Sequence, residues 1–131
     1  MRDERGDFLA KAREALAGAE SEFANLRYNN AANRAYYACF FAAIVALLDA
    51  GIRPPGKQWG HEFVQAQFSG NLIWRRKLYP AELRDVISKN MRARQDADYD
   101  AFPVSEIESI RAVKRAAMLV VAVERQARRK E

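Results

Sequence analysis

Apolar residues recur every three or four positions along most of this chain, the spacing of helices that each bury one stripe. Over residues 3–26 the series Phe8, Ala12, Ala15/Leu16, Ala19, Phe23 and Leu26 falls on one face, with charged residues on much of the other. This predicts an amphipathic outer helix. Asn29 and Asn30 are expected to cap a second helix over residues 31–50, because their side chains accept hydrogen bonds from free backbone N–H groups. Gly51 suits the position just past its end. Two apolar stripes run along this helix, Tyr36–Phe40–Ala43–Leu47 and Tyr37–Phe41–Ile44–Leu48. A helix apolar on most faces is packed on most sides, by its own chain or by a second subunit.

Residues 51–60 read as a loop in which Pro54-Pro55-Gly56 fixes a turn. A short third helix is expected at roughly 61–68, anchored by Phe63, Val64 and Phe68 and closed by Gly70, with 71–79 as a connecting segment. Pro80 suits the first turn of a fourth helix. That helix carries Leu83, Val86/Ile87 and Met91 and ends near Arg94–Tyr99. Ser105-Glu106-Ile107-Glu108 has capping-box spacing and opens the last helix, whose expected buried stripe is Val104, Ile107, Ile110, Val113, Ala117 and Val120. No strand-like alternation of useful length and no internal repeat interrupts the series. The expected fold is all-α, an up-and-down antiparallel bundle of four long helices plus one short helix, in a single domain over residues 1–131.

Composition agrees with a packed core: 131 residues, half apolar and 30% charged, is a globular balance. The lone cysteine, Cys39, excludes an intramolecular disulfide and a multi-thiolate metal site, and its apolar setting reads as a buried structural thiol. The charged start Met1-Arg2-Asp3-Glu4-Arg5 shows no signal-peptide pattern. The uninterrupted apolar stretch over 35–48 is shorter than the roughly 18 residues of a membrane span. Cytoplasm without membrane attachment is the expectation. The net charge of +5 favours anionic partners such as nucleic acid or nucleotides.

The chain has no phosphate-cradling glycine loop, no His/Cys metal spacing and no nucleophile-elbow serine, and His61 is its only histidine. No metal and no cofactor is expected. The strip Arg92-Ala93-Arg94-Gln95-Asp96-Ala97-Asp98-Tyr99-Asp100 puts guanidiniums, carboxylates and a phenol at the end of the fourth helix. It reads either as a salt-bridged helix terminus or as a polar site for a phosphate or RNA backbone, with arginine as the bidentate partner.

Three motifs in order, Asn33-Arg34-Ala35-Tyr36-Tyr37-Ala38-Cys39-Phe40, Gly60-His61 and Arg94-Gln95-Asp96-Ala97-Asp98-Tyr99, resemble the HEPN domain family. The likeness is closest to its small stand-alone prokaryotic members with an Arg-x-x-Ala-Asp-Tyr signature, and it runs from the first helix to the last. The resemblance implies an antiparallel helical bundle, frequent homodimerisation and often a neighbouring minimal nucleotidyltransferase, as in toxin–antitoxin pairs. Many members are RNA-cleaving, with an Arg-x(4–6)-His motif at the end of a late helix. Arg94 matches that arginine, but Tyr99 follows it after four residues and no histidine lies beyond His61. An imidazole shuttles protons near neutral pH, whereas a phenol with an ordinary pKa of about 10 is a poor base. The expected function is therefore a HEPN-type binding module for a nucleotide or RNA, without ribonuclease activity.

The candidate ligand-binding residues are Arg94 as phosphate partner, Asp98 and Tyr99 as orienting groups, His61, and Asn33 and Arg34 from the family resemblance. The competing reading is a metal-independent endoribonuclease using Arg94 with His61 or Tyr99. It rests on a topological expectation: in an up-and-down bundle the loops after the second and fourth helices share one end, which brings His61 towards Arg94. The other reading of His61 is a helix cap or a carboxylate partner. A third function is a structural dimer that covers and neutralises a partner protein. Two features carry a plainer reading beside a functional one. Arg125, Arg128, Arg129 and Lys130, with Arg111, Lys114 and Arg115, read as a solvated helix end or as a nucleic-acid edge. Trp74 beside Arg75-Arg76-Lys77 reads as a loop anchor or as a stacking platform for a base.

Overall fold

The computed structural model describes residues 3–129, and these form helices with no strand among them. Helix α1, Glu4–Ala24, starts where the Asp3 carboxylate accepts the Gly6 N–H at 3.0 Å, and Glu4 and Asp7 complement the dipole of its first turn. Ala12, Ala15 and Ala19 are buried as expected, flanked by half-buried Phe8, Leu16 and Phe23. The helix stops earlier than its apolar stripe. Arg27 N–H bonds the Glu22 carbonyl at 2.9 Å and Leu26 N–H the Phe23 carbonyl at 3.0 Å, which throws Leu26 into the left-handed region at φ 65°. Leu26 is 71% exposed rather than part of the buried stripe.

Helix α2, Tyr28–Asp49, begins ahead of the two asparagines expected to cap it. Its N-terminus is held from elsewhere: the Asn29 side-chain Oδ1 accepts the Val104 N–H at 2.8 Å and the Ser109 hydroxyl donates to the Tyr28 carbonyl at 3.2 Å. Tertiary contact has replaced the local cap. At the other end Gly51 takes φ 78°, as its position past the helix suggested. Alanines 31, 32, 35, 38, 42 and 43 are fully buried and let α1, α4 and α5 approach closely. By length and mean hydropathy (1.5 over an 18-residue window) α2 could cross a membrane, yet 72% of that window is buried inside the bundle.

Gly70 does not close the third helix. Helix α3, His61–Gln67, runs on as a π-helical segment, Phe68–Arg75, that passes straight through the glycine and buries Phe68, Leu72 and Ile73. Burial of those three side chains outweighs a glycine's weak preference to end a helix. Lys77, at φ 54°, ends the run. Pro80 then opens only a 3-10 turn, Ala81–Leu83, and helix α4 starts later than expected and spans Val86–Tyr99.

Helix α5, Glu106–Arg129, opens as the capping box predicted, with the Ser105 hydroxyl oxygen accepting the Glu108 N–H at 3.1 Å. Its buried face is centred on Ala112, Ala116, Leu119 and Val123, together with Ser109, Val113 and Val120. Ile107, assigned to the stripe by spacing, is 60% exposed. At 3.6 residues per turn it lies about 140° round the helix from Ala112.

Side-chain pairs fix the directions. Arg5 meets Asp49, so α1 and α2 are antiparallel. Asn33 meets Asp98, Tyr36 meets Arg94 and Cys39 meets Asn90, so α4 is antiparallel to α2. Tyr28 meets Ser109, so α5 starts beside the start of α2. The four long helices thus alternate up and down, with α3 and the π segment set into the α2–α4 connection.

Candidate functional site

The Arg94–Tyr99 strip is divided by helical phase. Arg94 and Asp98, one turn apart, face α2, where Arg94 Nη1 donates to Asp98 Oδ2 at 3.2 Å. Arg92 and Asp96, also one turn apart, face α5 instead. Tyr99 is 79% exposed beside Gln95, Asp96, Asp100 and Ala101, apart from the Arg94 cluster. Asp100 Oδ1 accepts the Phe102 N–H at 3.2 Å and shapes the turn that follows.

On the α2 side the candidate residues join into one network. Asn33 Nδ2 donates to Asp98 Oδ1 at 3.2 Å, and Asn33 Oδ1 accepts from Arg34 Nε at 3.1 Å and Nη2 at 2.8 Å. Two guanidiniums thus share one carboxylate, Arg34 through the Asn33 amide and Arg94 directly. The Arg94 guanidinium lies over Tyr36 at 5.3 Å and Tyr37 at 5.8 Å, and Arg34 covers Tyr37 at 5.0 Å. Such stacking holds a planar cation with its hydrogen-bonding edge free. Arg94 Nη2 also reaches Met91 Sδ at 3.8 Å, a weak acceptor, while its buried Nε has no partner in the protein.

His61 reaches this network by a route the topological expectation missed. Because α4 is antiparallel to α2, the loop after α2 and the end of α4 lie at opposite ends of the bundle. Residues 51–60 instead double back along α2 and deliver His61 onto Tyr36 and Phe40, with ring centroids 5.5 and 4.6 Å away. His61 Nδ1 is hydrogen-bonded to the Tyr36 hydroxyl, so His61 neither caps α3 nor pairs with a carboxylate. Burial, and then the charge of Arg94, push the His61 pKa below its usual value. The imidazole is therefore neutral at pH 7. Burial pushes the Tyr36 hydroxyl well above the ordinary phenol range, so it stays a proton donor. Fully buried Tyr36 has the His61 nitrogen as its hydroxyl's hydrogen-bond partner, which assigns the hydroxyl as donor to Nδ1. The His61 proton then sits on Nε2.

Tyr36 and Tyr37 belong to this cluster, and the apolar stripes concealed them. Their signal was present: two adjacent phenols in an otherwise apolar helix each need a polar partner or a cation. Cys39 is fully buried, its thiol pushed up to about 12 by burial, and it accepts from Asn90 Nδ2 at 3.2 Å, as a structural thiol. Trp74 is no loop anchor, since it is 72% exposed on the π segment. Among the basic residues near the C-terminus, Arg125 flanks an apolar hollow with Met118 and Val121, and Arg128 is exposed. The Arg129 side chain and Lys130 lie outside the described residues. Among the described residues no group of three or more His, Cys, Asp or Glu is placed to hold a metal ion.

No curated protein matches the chain at a significant level. An all-helical bundle that seats an arginine late in α4 against the Asn33–Phe40 segment of α2 nevertheless agrees with a family model, the HEPN domain, that matches residues 6–126, and the chain belongs to that family.

Proposed function

We propose that this chain is a HEPN-type binding and interaction module that holds a phosphate group of a nucleotide or RNA at Arg94 and does not cleave it. In this reading it is one domain over residues 1–131, a cytoplasmic homodimer that works beside a nucleotidyltransferase in a toxin–antitoxin-like pair. The observation that carries the reading is the state of Arg94. Its guanidinium is stacked on two tyrosines, only one of its hydrogen bonds goes to a carboxylate, and its buried Nε lacks an acceptor. Nε is closed to solvent, but Nη1 and Nη2 are each engaged only once, and the second N–H on each is available to a phosphate oxygen. Asp98 and Asn33 orient the guanidinium, Arg34 adds a second positive charge, and His61 contributes the Nε2 N–H. Tyr99, outside the hydrogen-bonded cluster, is exposed for a more extended ligand. The apolar surface of Met118 and Val121, 51% and 42% exposed, supports self-association.

The tautomer of His61 favours binding over cleavage. A neutral ring with its proton on Nε2 donates a hydrogen bond but does not accept a proton from a ribose hydroxyl. The endoribonuclease reading keeps one supporting observation, that His61 and Arg94 both lie against the Tyr36 ring. In that reading Arg94 stabilises the phosphate and His61 moves protons after a tautomer switch.

Purified protein incubated with total RNA, beside Arg94→Ala, separates the two. We expect intact RNA, binding that weakens with salt, and about a tenfold loss of affinity in Arg94→Ala, in line with one hydrogen bond to a charged group. Cleavage that Arg94→Ala abolishes overturns the proposal in favour of the nuclease. A neighbouring nucleotidyltransferase gene and co-purification with its product test the partner.

A further inference from the structure

Arg92 and Asp96 leave the Arg94 cluster for the other side of α4, and what they join there is a second cationic site. Lys89, Arg92 and Asp96 repeat at steps of three and four along α4, and Glu108, Arg111 and Arg115 do the same along α5. The helices are antiparallel here, so the two rows face each other across a groove of about 210 Å³ with Ala93 in its lining. At roughly 30 Å³ per water, that holds a phosphate group with part of its hydration shell. The sequence suggested grouping Arg111 and Arg115 with Lys114 and the C-terminal arginines; the fold groups them with α4.

The groove carries an excess of positive charge. Four cations face two carboxylates, and among the described residues none of Lys89, Arg92, Arg111 and Arg115 has an ion-pair partner within 4.0 Å. One of the four is also aimed. Arg115 Nε donates to Asn90 Oδ1 at 2.7 Å, and Asn90 is fully buried, its Nδ2 bound to the Ala112 carbonyl at 3.0 Å and to Cys39 Sγ at 3.2 Å. A buried amide that fixes a guanidinium through Nε leaves both terminal nitrogens free towards the groove, the edge that takes phosphate oxygens in pairs. Burial and the like charge of Arg111 both depress the Arg115 pKa, a strain that a bound anion relieves.

We propose that the α4–α5 groove is a phosphate-binding site, separate from Arg94, in which Arg115 and Arg111 hold the phosphate oxygens and Arg92 and Lys89 close over them. The phosphate comes either from the backbone of single-stranded RNA or from a free nucleotide. The groove does not depend on the Arg94 reading, since the two sites lie on opposite faces of α4.

The test is fluorescence anisotropy with a labelled uridine oligonucleotide of about 12 nucleotides, within the usual span of single-strand sites, and calorimetry with ADP. The variants are Arg92→Ala/Arg111→Ala and Arg92→Gln/Arg111→Gln, both at exposed positions, with helicity and thermal unfolding measured on each. We expect the oligonucleotide affinity to fall at least tenfold in both variants. The slope of log K against log salt should also flatten by about 1.4, at ~0.7 per lost single-strand phosphate contact. A loss confined to the oligonucleotide assigns the backbone as the source, and a matching loss for ADP assigns free nucleotides. Either supports the site. Unchanged affinity and slope for both ligands in a folded variant, or wild-type protein that binds neither, overturns it. Arg94→Ala measured in parallel keeps the readings apart: loss there with intact binding in the double variants sinks the groove alone, and the converse sinks the Arg94 site alone.

Discussion

Leu26 and Gly51 occupy equivalent positions, each the left-handed residue that closes a long helix, at φ 65° and 78°. For glycine that conformation is free of steric penalty, whereas for leucine it costs about 1 kcal/mol. Leu26 is mostly exposed and gains little packing in return. Leu26→Gly is expected to raise stability by about 1 kcal/mol, read as a thermal midpoint roughly 4 °C higher; an unchanged or lower midpoint contradicts that account of the turn. His61 gives the pH dependence at the same scale. Its folded-state pKa is lowered from 6.5, so the unfolded chain binds the proton more readily. Its share of stability is therefore complete above pH 6.5 and is lost as pH falls through the folded-state value. Urea unfolding of wild type and His61→Gln between pH 7.5 and about 5 should show the acid-side decline shallower in the variant, and parallel curves would count against a buried neutral ring.

Helix α4 works through three faces at once. One turns Arg94 and Asp98 to α2, one turns Arg92 and Asp96 to α5, and between them Asn90 is locked into the core by Cys39, Ala112 and Arg115. Asn90→Ala removes three hydrogen bonds, leaves a small cavity and frees Arg115. A loss of about 2–3 kcal/mol is expected in denaturant unfolding, and a change below 0.5 kcal/mol would show that water replaces the amide. These faces were legible in the residues of the strip, because positions four apart share a face and positions two apart do not. Which face met α2 and which met α5 was not, since that depends on how the partners cross. The same limit explains Ile107: capping chemistry placed the start of α5, but its rotation was set by α2 and α4 packing on Ala112 and Ala116.

Across the whole molecule, α2 is the shared contact of α1, α4, α5 and α3. Its alanines, buried between those helices, set how near they come. Ala42→Leu, at a position with no exposed surface, is expected to lower stability by 2 kcal/mol or more through overpacking. A neutral effect in urea titration would mean that a void lies beside it. Crossing of this helix by the returning 51–60 loop is what builds the candidate site, because it sets an imidazole and a guanidinium on one tyrosine ring although they are 33 residues apart in sequence.

The all-helical class, the four long helices, the centrality of α2, the buried thiol and the family were all legible in the residues alone. Each follows from periodicity, capping residues or a motif that lies within one short segment. Packing, and not local pattern, put Gly70 within a helix, tied Asn29 to the loop before α5, ran α4 antiparallel to α2, seated His61 on Tyr36 and left Tyr99 apart from Arg94. The physical reason is the same in every case. Local propensities at these positions amount to about 1 kcal/mol or less, and burial of neighbouring apolar side chains, with the hydrogen bonds that burial makes obligatory, exceeds that sum.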